Sequence, residues 1–211
     1  MGLVKVVRVG VDFGFAQDPT AIVVAEPFVL VCEDRGTEEV GYRVRYTERL
    51  PLGIDSISVC DRIEEIVTSL KERYIMATVE VFVDATGVGQ VVKDLLRPRI
   101  FRERSLLYSI VITSGQKPHW EHGTWYVPKE SLIQKIAALL AAKRLQIPEG
   151  EESLIRELEI FQIKTTAARR PKFEAPSGEH DDLVIALGMA VWRDPSVESL
   201  RLRPIRRRVG L

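Results

Sequence analysis

The order of the apolar segments constrains the fold of this chain more than any other feature. Three β-type segments come first, then helical and β-type segments alternate, and the chain closes with helices. The predicted strands cover residues 4–12, 20–25, 40–50, 78–84 and 107–113. Helical spacing of apolar residues predicts helices over 55–74, 87–96, 129–145, 152–163 and 180–192. This order predicts an α/β fold in which a mixed β-sheet is flanked by α-helices.

Composition is that of an ordinary globular protein. Of the 211 residues, 45% are hydrophobic and 28% are charged, and the formal net charge of zero does not by itself indicate a nucleic-acid partner. The sequence has no apolar run of membrane-spanning length, no signal-peptide pattern and no CxxC spacing, so we expect an intracellular protein without a membrane partner. With no linker or repeat, we expect one domain over residues 1–195 and a basic tail over 196–211.

Acidic residues interrupt apolar segments at three places. Asp12 ends the first strand in VGVDFG, Asp84 ends the fourth in VFVDATG, and Asp181 and Asp182 open the last helix. Taken singly, a strand-end acid is often a turn former, and an acid at a helix start is often a cap. If the first and fourth strands are neighbours, however, both strand-end acids lie at one edge of the sheet, and the last helix can bring its first turn there.

Carboxylates that are crowded together repel one another, and a cation relieves this repulsion. Oxygen ligands of this kind suit Mg²⁺ or Mn²⁺, and two such ions about 4 Å apart can support phosphodiester hydrolysis. We predict Asp12, Asp84 and Asp182 as the metal ligands. Asp182 is favoured over Asp181 because small residues follow it at helical spacing and let the helix approach the sheet. Asp181 would then cap the helix or support its neighbour.

Basic residues near the predicted acids are candidates for DNA contacts. We predict phosphate contacts for four residues that lie between the last two long helices: Lys164, Arg169, Arg170 and Lys172. The alternative is a solvated loop. His180, directly before the acidic pair, is predicted to support a metal ligand or to contact phosphate, and the alternative is polar surface.

Four stretches of the chain resemble the nuclease domain of tailed-bacteriophage terminase large subunits. In chain order they are VGVDFGFAQDPTAIVV, VFVDATGVGQVVKDLL, YVPKESLIQKIAALLAAKRLQIP and GEHDDLVIALGMAVW. The resemblance implies a ribonuclease H-like fold, and an endonuclease that cleaves double-stranded DNA during viral genome packaging in the host cytoplasm. It places the metal-binding acids on Asp12, Asp84 and Asp182, with Asp181 beside them. It also implies a terminase ATPase domain, a small terminase subunit and a portal as partners.

The sequence is also compatible with three other functions. An actin-like or sugar-kinase-like phosphotransferase also begins with an apolar strand that ends in Asp and Gly, and ATP would stabilise such a protein. A Holliday-junction resolvase or transposase core uses the same carboxylate chemistry and would prefer branched DNA. A non-catalytic interaction module could have kept the fold without the activity.

The sequence contains no G-x-x-x-x-G-K-S/T phosphate-binding loop. We therefore expect the purified chain not to hydrolyse ATP. A phosphate-release assay measures this directly, and steady turnover that follows the chain through purification would contradict the expectation.

Overall fold

An eight-stranded mixed sheet forms the centre of the structure, which is a computed structural model that describes residues 6–14, 18–32, 36–87, 89–115, 117–167 and 181–200. The strands are β1 (Val6–Asp12), β2 (Ala21–Cys32), β3 (Thr37–Arg49), β4 (Thr78–Asp84), β5 (Leu106–Thr113), β6 (His119–Glu121), β7 (Thr124–Pro128) and β8 (Leu145–Gln146). The helices are α1 (Ser56–Arg73), α2 (Gly89–Arg102), α3 (Lys129–Ala141), α4 (Glu152–Ala167), α5 (Asp182–Val191) and α6 (Val197–Leu200).

Strand order places the carboxyl ends of four strands at one edge. The sheet runs β6-β7-β5-β4-β1-β2-β3-β8. Neighbours among β1, β4, β5 and β7 pair in parallel, while β2 pairs antiparallel with both β1 and β3. The predicted series of three strands is therefore an antiparallel meander, and the predicted mixed α/β architecture is confirmed.

Each face of the sheet has its own apolar core, because side chains alternate along the central strands. In β4, Val81 and Val83 belong to the core beneath α1 and α2, where Ile63 is fully buried. Phe82 points to the other face and joins the core formed with α3, α4 and α5, which includes Leu187. None of the described helices combines the length and apolar character that a membrane span requires.

Tertiary contacts override two of the sequence-based helix ends. We predicted that the second helix stops before Pro98, but α2 continues to Arg102. Pro98 is exposed, while the turn that follows it is fixed to α1 through Arg99, whose guanidinium pairs with Asp61 and Glu64. The last turn is thus held by a neighbouring helix, which offsets the unfavourable proline.

The third long helix is shorter than predicted, since α3 ends at Ala141 and not near residue 145. Lys143 adopts a φ of 55°, and this left-handed residue turns the chain so that Leu145 pairs with β3 as part of β8. A two-residue strand was not predicted, because it is too short to show a period. Strand β6 pairs antiparallel with β7, and the two form a hairpin at one side of the sheet.

Helix α5 lies directly on β1. A Cβ atom on Gly10 would be 1.9 Å from the Ala186 carbonyl oxygen and 2.9 Å from the Ala190 backbone nitrogen. Every residue of α5, from Asp182 to Val191, is buried. The predicted stripe of small residues therefore permits the predicted close approach, and the start of α5 reaches the edge where β1 ends.

Replacing Gly10 with alanine should destabilise the fold, because the new methyl group meets backbone atoms that cannot rotate away. We expect Gly10→Ala to lower the free energy of unfolding by about 3 kcal/mol, measured by urea denaturation. Gly150→Ala is the matched control, since no heavy atom lies within 4 Å of its added Cβ. Equal stabilities of the two variants would mean that α5 and β1 are not packed this closely.

Candidate active site

Asp12 and Asp84 leave the sheet side by side. Their strands, β1 and β4, pair in parallel up to Val11 opposite Val83, and each aspartate is the next residue in its strand. Gly89, at the start of α2, packs so closely under Asp84 that an added Cβ would lie 2.3 Å from the Asp84 carbonyl oxygen. The predicted meeting of the two strand-end acids at one edge is therefore observed.

Asp182 lies at the same edge. It is the first residue of α5, whereas Asp12 and Asp84 are the last residues of their strands. It is only 7% exposed and stands one helical turn before Ala186, on the stripe that touches β1. Burial of a carboxylate at this level is costly unless charges or polar groups compensate for it.

The acids share one electrostatic environment. Burial raises the pKa of Asp12 well above its ordinary value, and the negative charges of Asp84, Asp182 and Asp181 raise it further, while Lys129 opposes the shift. Burial also raises the pKa of Asp84, although hydrogen bonds from Thr86 partly offset the effect. The Thr86 backbone N–H donates to Asp84 Oδ1 over 2.8 Å. Asp12 is thus the centre of the cluster.

Asp181 has a different role from the capping role that was one of two predicted for it. Within the described residues its side chain makes no capping hydrogen bond, although its carbonyl oxygen accepts the Ile185 N–H over 2.9 Å. Its Oδ2 instead accepts a hydrogen bond from Lys129 Nζ over 2.5 Å. Sequence reasoning missed Lys129, which directly follows β7 and shared no pattern with the acids.

The sequence analysis also did not identify Arg49, a second cation near the acids. Arg49, at the end of β3, pairs with Glu157 of α4, and its Nε lies 3.9 Å from Asp182 Oδ2. The Glu157 carboxylate is buried and also accepts the Val184 N–H over 3.0 Å, so it caps the first turn of α5. A signal was present in the sequence, because Glu157 lies on the apolar face of α4 between Leu154 and Leu158.

The donor chemistry of Asp12, Asp84 and Asp182 fits a hard divalent cation. Within the described part of the chain, no three carboxylate, imidazole or thiol groups are already placed to share one ion. Mg²⁺ does not require this, since it is usually held by one or two carboxylates together with waters and substrate phosphates. The residues present therefore fit Mg²⁺ or Mn²⁺ with phosphate oxygens completing the coordination.

Several predicted contacts lie outside the described residues. His180, Arg169, Arg170 and Lys172 fall in the segment 168–180, and Lys164 belongs to α4 but its side chain is not described. Most of the predicted basic tail, residues 201–211, also lies outside. Its first part forms α6, whose Val197 and Leu200 pack on the core. The five site assignments stay predictions.

Solved structures of the same fold include viral terminase domains. The human cytomegalovirus terminase nuclease domain aligns with a TM-score of 0.55 and 13% identity, over 89% of this chain and 82% of that one. Its Mn-soaked, inhibitor-bound form aligns with a TM-score of 0.52 and 12% identity, over 88% and 81%. Thermus thermophilus RuvC has a TM-score of 0.42 and 15% identity, over 88% and 90%. No curated protein matches the chain.

The likeness to the cytomegalovirus domain shows that this chain shares the fold of that domain. A family model described as the terminase RNaseH-like domain matches residues 9–193. The match takes in β4, α5 and the second half of β1, which carry Asp84, Asp182 and Asp12. This chain therefore belongs to the terminase RNaseH-like domain family.

Proposed function

We propose that this chain is a divalent-metal-dependent endonuclease that cleaves double-stranded DNA during viral genome packaging. One observation carries the proposal: three separate segments of the chain bring Asp12, Asp84 and the Asp181–Asp182 pair into one electrostatic cluster at the sheet edge. Membership of the terminase family supports the packaging role. The same membership favours a nuclease over the actin-like phosphotransferase.

In this proposal Asp12, Asp84 and Asp182 hold Mg²⁺ or Mn²⁺, with two ions when DNA is bound. When bound, such ions lower the pKa of a water molecule and offset negative charge on the leaving oxygen. The protein contributes rigid placement, because each acid stands at the end of a strand or helix whose neighbouring residues are buried. A cation and a proton compete for Asp12, since burial and the surrounding acids raise its pKa.

The proposal also covers the metal, the substrate and the partners of the chain. The Mn-soaked, inhibitor-bound form of the human cytomegalovirus terminase nuclease domain supports Mn²⁺ as a metal that such a site accepts. Double-stranded DNA would reach the cluster with its phosphates beside Lys164, Arg169, Arg170 and Lys172. A terminase ATPase domain, a small terminase subunit and a portal are the proposed partners in the host cytoplasm.

Removing any one ligand charge should stop cleavage. We expect Asp12→Asn, Asp84→Asn and Asp182→Asn each to lower the rate of Mn²⁺-dependent cleavage of linear and plasmid DNA at least about a hundredfold, because each removes an anionic ligand of the ions that offset negative charge on the leaving oxygen. Asp94→Asn is the matched control, since Asp94 is an exposed acid on α2.

The same assay separates the alternatives. Wild-type rates in any of the three variants would remove that residue from the site. A strong preference of the wild-type chain for four-way junctions over linear duplexes would favour a resolvase. An inactive wild-type chain, under conditions where it is folded and binds Mn²⁺, would overturn the nuclease proposal.

The cluster should make the metal-free protein less stable at neutral pH. Asp12 has a higher pKa in the folded state than in the unfolded state, so its favourable contribution is fully present below about pH 4 and is lost as the pH rises through the folded-state pKa. We therefore expect Asp12→Asn to melt at a higher temperature than the wild type at pH 7 without metal, with the difference shrinking towards pH 4.

Scanning fluorimetry over this pH range measures the effect. Mn²⁺ should raise the melting temperature of the wild type more than that of Asp12→Asn, because the variant has lost a ligand. A variant that is less stable than the wild type at pH 7, in metal-free buffer, would show that Asp12 is not under repulsion from its neighbours.

A further inference from the structure

Lys129 brings a positive charge to the edge where the acids meet. It directly follows β7, which pairs in parallel with β5, while β5 in turn pairs in parallel with β4. The carboxyl ends of these strands share one edge of the sheet, so Lys129 and Asp84 stand at the same edge. The backbone at Lys129 is anchored, because Val127 and Pro128 before it are buried.

The Lys129 ammonium acts within the acidic cluster and is not confined to its ion pair. Its Nζ donates to Asp181 Oδ2 over 2.5 Å, and its charge also lowers the pKa of Asp12 against the influence of the three other acids. The Lys129 side chain is 30% exposed, so a ligand can reach it from solvent. Lysine is a common phosphate ligand in proteins and acts as a compact point charge.

The geometry points to a substrate-binding role that rests on the proposed nuclease function: Lys129 binds a backbone phosphate oxygen of DNA at the carboxylate cluster. The same ammonium weakens the binding of divalent cations to the protein without DNA, because like charges at such short range repel. DNA and metal therefore bind cooperatively. A DNA phosphate bound to Lys129 offsets the lysine's positive charge and so weakens its repulsion of the metal ion. By linkage, bound metal raises the affinity for DNA by the same factor.

A purely structural role makes a different prediction. If Lys129 served only to neutralise Asp181, its removal would act solely through the freed Asp181 carboxylate, and the affinities for phosphate and metal would stay unchanged once Asp181 is replaced by asparagine. Lys135 offers the matched comparison, because it lies on the same helix and forms a similar ion pair with Asp194, Nζ to Oδ1 over 2.8 Å. Neither Lys135 nor Asp194 is among the charges that shift the pKa of Asp12 most.

DNA binding is the first test, in EDTA so that no cleavage occurs. Binding of a duplex oligonucleotide is measured by fluorescence anisotropy at several salt concentrations. We expect Lys129→Met to weaken binding about fivefold and to reduce the salt slope by about one, the signature of one lost phosphate contact. Lys135→Met should bind as the wild type does. Lys129→Arg, which keeps the charge, should retain most of the slope.

Metal binding without DNA is the second test. Free Mn²⁺ is followed by electron paramagnetic resonance during titration of the protein. Removal of a like charge from the cluster should tighten Mn²⁺ binding by Lys129→Met about fivefold, whereas Lys135→Met should leave it unchanged. The variant is thus expected to gain metal affinity and to lose DNA affinity, a pair of opposite shifts that general loosening of the fold would not produce.

A second pair of variants covers the case in which Lys129→Met folds poorly. Asp181→Asn alone is compared with Asp181→Asn/Lys129→Met, because in both no carboxylate of the ion pair is left without a partner. Loss of DNA affinity and gain of Mn²⁺ affinity between these two proteins would support the role of Lys129. Unchanged affinities would overturn it, even if the melting temperature falls. Failure of the nuclease function itself is read separately, from Mn²⁺-dependent cleavage by the wild type.

Discussion

The contact between α5 and β1 is the constraint on which the site depends. It requires a glycine at position 10, because any Cβ there would overlap the Ala186 carbonyl oxygen. With the backbones this close, Asp182 is carried to the edge where β1 ends in Asp12. The helix is buried along its whole length, so the apolar contacts that stabilise it also fix the position of its first residue. The contacts that pack α5 into the core therefore also place the Asp182 carboxylate beside Asp12.

Buried negative charge is the cost of this arrangement, and two cations offset it from opposite sides. Arg49 stands near Asp182 and pairs with Glu157, which in turn caps the Val184 N–H of α5. On the other side Lys129 pairs with Asp181. The charges are not simply neutralised, because the pKa of Asp12, raised mainly by burial, is raised further by the negative charges of three neighbouring acids that Lys129 opposes. An excess of negative charge that the fold tolerates but does not cancel is what a cation site requires.

Sequence reasoning could locate the acids because local patterns report them. An aspartate that ends a largely apolar strand, as Asp12 and Asp84 do, stands at a sheet edge whatever the details of packing, and parallel pairing then brings the two together. No local sequence pattern identifies the compensating cations, Arg49 and Lys129. Arg49 and Glu157 are 108 residues apart and meet only through tertiary structure. Pro98 was misjudged for the same reason, since contacts of Arg99 with α1 maintain a helix that local propensity would end.

The two adjacent aspartates illustrate how the surroundings can separate chemically identical groups. The Asp181 carboxylate already accepts a charged hydrogen bond from Lys129, which makes it a weaker ligand for a second cation. Asp182 lies on the stripe of α5 that faces β1, and the guanidinium near it is shared with Glu157, so Arg49 compensates Asp182 only in part. This difference favours Asp182 as the direct ligand and leaves Asp181 to hold Lys129. Two consecutive residues at the start of α5 would then connect the two functions. Asp182 is the proposed metal ligand, and Asp181 holds Lys129, the proposed phosphate ligand.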